Sequence, residues 1–216
     1  MDSAYVITAF VTLFVVIDPI GLAPMFLALT QGDSAARRRA IALRACLTSI
    51  IVLTIFAAFG ETVLGFVGIS MAAFQIAGGL LLFVTAFDML FERRSKRRKG
   101  QADEDDGDDP SVFPLAIPLI AGPGAITSMI LLTGQRPGVH GLVLVLGVMV
   151  AVIALALLLF LASGTLERAL GRTGINVATR LFGMLLAALS VQFVLDGLHA
   201  FGLFGAQVTA AAHAPI

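Results

Sequence analysis

The chain has 216 residues, a formal net charge of zero, 58% hydrophobic residues and only 13% charged ones, with a mean hydropathy of +0.99. This balance excludes an ordinary soluble domain, marks a polytopic membrane protein and supplies no basic field for nucleic acid. Cys46 is the single cysteine, so no intrachain disulfide can form and no redox chemistry is expected.

Six apolar segments are each long enough to cross a hydrocarbon core as a helix, which takes roughly 20 residues. They are Ala4–Thr30, Ile41–Phe59, Ile69–Phe91, Val112–Thr133, Leu142–Ala162 and Ile175–His199. Their apolar residues run continuously instead of alternating, which predicts helices and argues against a β-barrel. The first segment does not read as a signal peptide, because it carries Asp2, lacks a basic leader and is interrupted at Asp18-Pro19.

That first span contains Asp18-Pro19-Ile20-Gly21 and then Pro24. Asp18 is the only carboxylate expected deep within a span, where a charge costs at least about 2.5–3.5 kcal/mol on insertion scales. Arg37, Arg38, Arg39 and Arg44 follow it, and Cys46 is expected to be buried in the second span. Residues 61–69 read ETVLGFVGI, and Gly78-Gly79 in the third span would let helix backbones approach closely. The linker RRSKRRKGQADEDDGDDP splits into a basic and an acidic block and reads as a solvated loop. Its basic half can serve as a topology signal or bind anionic lipid.

The fourth span carries Pro114, Pro118 and the run Gly122-Pro123-Gly124. Proline removes an amide donor and glycine adds backbone freedom, so both spans one and four are predicted to break into half-helices. Unwound backbone at membrane depth needs protein or a water-filled cavity to satisfy it, so the breaks are expected to face the interior, near each other. Two simple proline kinks are the plainer alternative. Residues 167–175 then read ERALGRTGI, repeating E-x-x-L-G-x-x-G-I 106 residues on; Pro123 answers Pro19 and Gly183 answers Gly78, so the offset drifts only between 104 and 106. Glu61 and Glu167, the repeated acids, are expected to begin connecting loops.

The duplication predicts two three-helix halves, residues 1–92 and 112–216, joined by a linker at 93–111. Three spans per half is odd, so the second half enters the membrane inverted. Internal repeats with Gly/Pro-interrupted segments at matching places point to a secondary transporter and its binding site. The alternate loops after the first, third and fifth spans hold 13 of the 14 basic residues, and only Arg136 lies on the other side. By the positive-inside rule those loops and the linker are cytoplasmic and both termini periplasmic.

Three roles are open to Asp18: binding a coupling proton, pairing with a cationic substrate group, or capping the half-helix that starts at Pro19. The other break offers free amides and hydroxyls at the start of a helix, at Gly124-Ala125-Ile126-Thr127-Ser128, which favours a carboxylate. Together they suit a small zwitterion such as a neutral amino acid. The candidate substrate site is therefore Asp18, Pro19, Gly21, Gly122, Pro123, Gly124, Thr127 and Ser128. Gln192, deeper in span six, is a further candidate that could equally make an interhelical hydrogen bond. No metal-ligand spacing joins His140, His199 and His213, and no nucleophile–base pair stands out, so neither a cofactor nor an enzymatic reaction is expected. The expected partners are the bilayer and a small solute, with H+ or Na+ as candidate coupling ions.

FVVIDPIGLAPMFLALT and PLAIPLIAGPGAITSMILLT resemble the paired signatures of the MarC family of integral membrane proteins, also called MarC/NAAT after members described as neutral amino acid transporters. The resemblance spans nearly the whole chain. It implies a six-span bacterial inner-membrane protein, loosely related to LysE-type exporters. Family members carry Asn or Asp at the position of Asp18, which implies a polar ligand or cap there that Asn can replace. A non-transporting membrane scaffold or stress-response component remains the alternative reading of the same segments.

Overall fold

A computed structural model describes residues 2–91 and 110–202. Among the described residues the chain is all helix: α1 (Asp2–Ile17), α2 (Pro19–Leu29), α3 (Ala35–Val67), α4 (Met71–Leu90), α5 (Ser111–Ile120), α6 (Pro123–Gln135), α7 (Val139–Leu161) and α8 (Ser163–Ala200). Five stretches are long and apolar enough to cross a membrane. The bent pair α5 and α6, set at 55° across a short break, makes a sixth if it counts as one span. Most of the charged linker and His213 lie outside the described residues.

The exterior explains the composition. Along α3, Leu47, Ile51, Ile55 and Phe59 recur at helical spacing on the outside and are 52–60% exposed. Ala42, Ala45, Ser49, Leu53, Ala57 and Gly60 face inward. Large apolar side chains outside and small ones inside suit a lipid surround, in which tight helix contact rather than expulsion of water from apolar groups drives assembly. Gly60 shows how tight: a β-carbon there would stand 2.5 Å from Ile130 Cγ1 on α6.

Helix ends follow local chemistry. Ser34 accepts the Arg37 amide at 3.3 Å and starts α3, and Ser70 accepts the Ala73 amide at 3.2 Å and starts α4. At the other end of α3, Gly68 takes a left-handed backbone (φ 82) while the Ile69 amide returns to the Leu64 carbonyl at 2.9 Å. The repeated string E-x-x-L-G-x-x-G-I is thus a helix stop in its first copy. In its second copy the preceding glycine, Gly171, turns left-handed (φ 62) and kinks α8 instead. Glu61 and Glu167 consequently lie inside helices α3 and α8, not at loop starts as expected. Helix α3 also extends beyond the apolar stretch Ile41–Phe59 at both ends.

Helix α5 is wide and irregular. Phe113 (φ −125, ψ 130) and Ile117 (φ −126, ψ 123) are extended, as residues preceding proline tend to be; the Phe113–Pro114 and Ile117–Pro118 bonds are cis.

The packing order is paired. The most extensive contact joins α4 to α8; α4 also rests on α6, and α8 on α2. Helix α3 packs on α5 and α6, while α7 packs on α1 and α2. Gly79 and Gly183 form the close α4–α8 approach, with β-carbon positions 2.8 Å from the Ser190 carbonyl oxygen and 3.2 Å from that of Ala86. Cys46 is buried beside the Ile153 carbonyl.

Candidate functional site

Asp18 separates α1 from α2. Its backbone is left-handed (φ 56, ψ 62), and its carboxylate Oδ1 accepts the Gly21 amide at 3.1 Å as the cap of α2. Asp tolerates this conformation better than most residues. Pro19 stands first in α2, where no amide is required. Gly21 is equally constrained, since a β-carbon there would run into the Asp18 carboxylate. The chain loses little hydrogen bonding: the Asp18 amide donates to the Phe14 carbonyl and the Leu22 amide to the Asp18 carbonyl, each at 2.9 Å. Asp18 and Pro19 are buried.

Helix α6 begins in the same manner with different residues. Gly122 is its extended N-terminal boundary (φ −81, ψ 172), Pro123 occupies its first position and no side chain caps it. A side chain on Gly122 would meet the Pro118 carbonyl, so the turn out of α5 requires glycine there. The first turn of α6 therefore presents amides without a side-chain acceptor, the arrangement that gives a helix N-terminus its partial positive charge.

The two starts lie close together. The β-carbon position of Gly124 is 3.1 Å from Val16 Cγ1, two residues before Asp18, and 3.3 Å from Leu82 on α4. Farther along, the Tyr5 hydroxyl donates to the Leu132 carbonyl and the Arg136 guanidinium covers the Tyr5 ring at 4.6 Å. Helix α1 thus runs antiparallel to α6. Between these contacts, the Thr127 methyl packs on Gly78. Thr12 Oγ1 and Ser128 Oγ are wholly enclosed and make no hydrogen bond, which is costly for a hydroxyl away from water.

Of the residues singled out from the sequence, Asp18, Pro19, Gly21, Gly122, Pro123, Gly124, Thr127 and Ser128 are gathered at these two helix starts. Gln192 is not. It is exposed on α8, where its amide donates to Asp196 Oδ1 at 2.7 Å, an i,i+4 pair that satisfies both side chains on the helix surface. Thr12 was not singled out; an isolated threonine in an apolar helix carries no motif. Among the described residues no group of three His, Cys, Asp or Glu side chains could hold a metal ion. A cavity of about 270 Å³ lies elsewhere, beside the C-terminal half of α2 and the starts of α3 and α8. Arg38, Arg39 and Arg168 line it, and neither Asp18 nor Thr127 does.

A family model described as MarC family integral membrane protein matches residues 3–201. The chain belongs to the MarC family. This MarC protein is 38% identical over 197 residues to a UPF0056 membrane protein of Archaeoglobus fulgidus, covering 90% of this chain and 92% of that one. It is 37% identical over 203 residues to the UPF0056 membrane protein YvbG of Bacillus subtilis, covering 92% and 96%. It is also 35% identical over 199 residues to the UPF0056 inner membrane protein YhgN of Escherichia coli, covering 89% and 95%. No solved structure matches the chain.

Proposed function

We propose that this MarC protein is a secondary transporter of a small polar solute, a neutral amino acid, across the bacterial inner membrane. It would work as six spans in two inverted halves, with both termini periplasmic and the linker cytoplasmic. The observation that carries this reading is the seating of Gly124 against Val16. It brings the α6 N-terminus close to the segment of α1 that precedes Asp18, which supports a site where an ammonium group pairs with Asp18 and a carboxylate with the amides before Thr127. A proton or Na+ is the coupling ion in this scheme.

The paired packing supports the inverted repeat. Exchange of the halves converts α4 on α6 into α8 on α2, and α3 on α5 and α6 into α7 on α1 and α2, and both members of each pair occur. Such a relation allows the halves to rock about a central site. The convergence of Arg38 and Arg39 with Arg168 at one end of the bundle supports the cytoplasmic assignment of their loops.

The test is uptake of labelled neutral amino acids by proteoliposomes, with and without imposed H+ or Na+ gradients, for the wild type and Asp18→Ala. Accumulation by the wild type and its loss in the folded variant are expected. Full activity of the variant would remove Asp18 from the substrate site.

A second reading, a non-transporting scaffold, is favoured by one observation. The packing of Gly124 on Val16 and of Thr127 on Gly78 is close, and the cavity described above is not lined by the candidate residues. The transporter reading treats this packing as an occluded state that opens when the halves rock. A protein that binds no amino acid and accumulates none would favour the scaffold.

A further inference from the structure

The cavity of about 270 Å³ at the basic end of the bundle has a distinct chemical character. Its polar lining comes from Arg38, Arg39, Arg168 and Thr165, its apolar floor is Phe26 with Phe160, and among the described residues no carboxylate lines it. The floor is rigid: the two rings stack with centroids 4.9 Å apart, and both are almost fully buried. Arg38 is fixed in place, with Nη2 3.4 Å from Ser163 Oγ and its guanidinium 5.9 Å from the centre of the Phe26 ring. Both of those partners are uncharged, so neither neutralises it.

Two helix N-termini open at the same place. Helix α3 starts at Ala35 and α8 at Ser163, and no side chain caps α8. The end of α7 at Leu161 lies beside the α8 start and offsets its partial charge, so the positive field of the pocket rests on the three guanidiniums. Like charges drawn together around a hollow repel one another unless an anion joins them, and guanidinium forks match phosphate oxygens in pairs. The volume lies just below the range of drug-sized pockets, which suits a single phosphate-bearing group rather than a large ligand.

We propose that this pocket is an anion site that binds a phosphate group, with Arg39 and Arg168 clamping it, Arg38 behind it and the Thr165 hydroxyl available as a further donor. The phosphate can belong to an anionic lipid headgroup of the facing leaflet or to a soluble phosphate compound. Both sources present the same chemistry. The site is separate from Asp18 and α6 and holds whether or not the protein transports amino acids.

The test uses full-length protein in nanodiscs and two variants. Arg39→Gln with Arg168→Gln removes the clamp. Thr165→Glu places a carboxylate among the arginines while retaining every basic residue that sets topology, and an acid in the first turn of α8 is compatible with the helix dipole. In discs of phosphatidylcholine alone, inorganic phosphate is titrated by calorimetry. In mixed phosphatidylcholine and phosphatidylglycerol discs, retained anionic lipid is counted by native mass spectrometry. Wild-type binding in at least one arm, weakened tenfold or more in either folded variant and by added salt, is the expected result. A signal in the first arm assigns the site to a soluble phosphate, and one in the second alone to a lipid headgroup. Equal behaviour of wild type and folded variants in both arms, or no binding in either, would overturn the proposal.

Discussion

Gly79 lies against the carbonyl oxygen of Ser190, so closely that a β-carbon on it would stand 2.8 Å from that oxygen and 2.7 Å from Val194 Cγ2. Gly183 meets the Ala86 carbonyl in the same manner at 3.2 Å. Gly183 and Ser190 stand 104 residues after Gly79 and Ala86, so the two contacts are reciprocal between α4 and α8.

Those distances rank two substitutions. Gly79→Ala forces a methyl against backbone that cannot yield locally, and α4 must move from α8 at a cost of about 1–3 kcal/mol. Gly183→Ala meets its nearest atoms at 3.0–3.3 Å and should cost less. Thermal unfolding of purified protein in one detergent checks the order. A melting temperature for Gly79→Ala equal to that of the wild type would show that the helices part freely here.

Asp18 separates cap from charge. Asn can adopt the same left-handed backbone and accept the Gly21 amide with its carbonyl oxygen, so Asp18→Asn should leave the melting temperature nearly unchanged. Ala loses the cap, worth about 0.5–2 kcal/mol, and accommodates the left-handed conformation less well. Gly21→Ala should resemble it, because the new methyl displaces the Asp18 carboxylate. Unfolding curves for the three variants decide. A destabilised Asp18→Asn would mean that the negative charge itself contributes to the fold.

How far the sequence foretold this arrangement depends on which physical quantity a residue reports. Continuous apolar runs report passage through lipid, and the five membrane-length stretches, with the bent α5–α6 pair as a sixth if it counts as one span, were legible from them. They do not report helix ends. Ser34 and Gly68 set the limits of α3 through capping and a left-handed turn, which is why the helix outruns Ile41–Phe59 and takes in Arg37, Arg38, Arg39 and Glu61. Pro19 and Pro123 made the two helix starts legible, because proline at the first helical position has a local cause. The rotation of each helix about its own axis has none. It is fixed by packing, so the seating of Thr127 on Gly78 and the outward turn of Gln192 toward Asp196 could not be read. The meeting of Arg38 and Arg39 with Arg168, more than a hundred residues away, was foreshadowed only as a shared side of the membrane.

Tyr5 ties the far ends of α1 and α6 together through its hydroxyl and the Leu132 carbonyl. Tyr5→Phe keeps the ring beneath Arg136 but leaves that carbonyl without its phenol donor, a loss of roughly 1 kcal/mol. Tyr5→Leu removes the cation–π contact as well and should lose up to about a further 1 kcal/mol. The graded order, wild type above Phe above Leu, should appear in thermal unfolding. Identical values for Phe and Leu would assign the whole effect to the hydroxyl.

Ser128 offers the sharpest choice between transporter and scaffold. Its hydroxyl is wholly enclosed in the first turns of α6 and makes no hydrogen bond. If α6 serves only to pack, the hydroxyl is a liability, and Ser128→Ala should leave stability unchanged or raise it by up to about 1 kcal/mol with no other consequence. If a solute carboxylate docks at this helix start, the same hydroxyl acquires a partner in the bound state. Ser128→Ala would then fold at least as well as the wild type yet lose tenfold or more in solute-dependent thermal stabilisation and in proteoliposome uptake. Unfolding measured with and without neutral amino acids separates the cases, because a ligand that binds the folded state alone raises its stability. Retained solute response in Ser128→Ala would take the α6 start out of the binding site, whatever the activity of Asp18 variants.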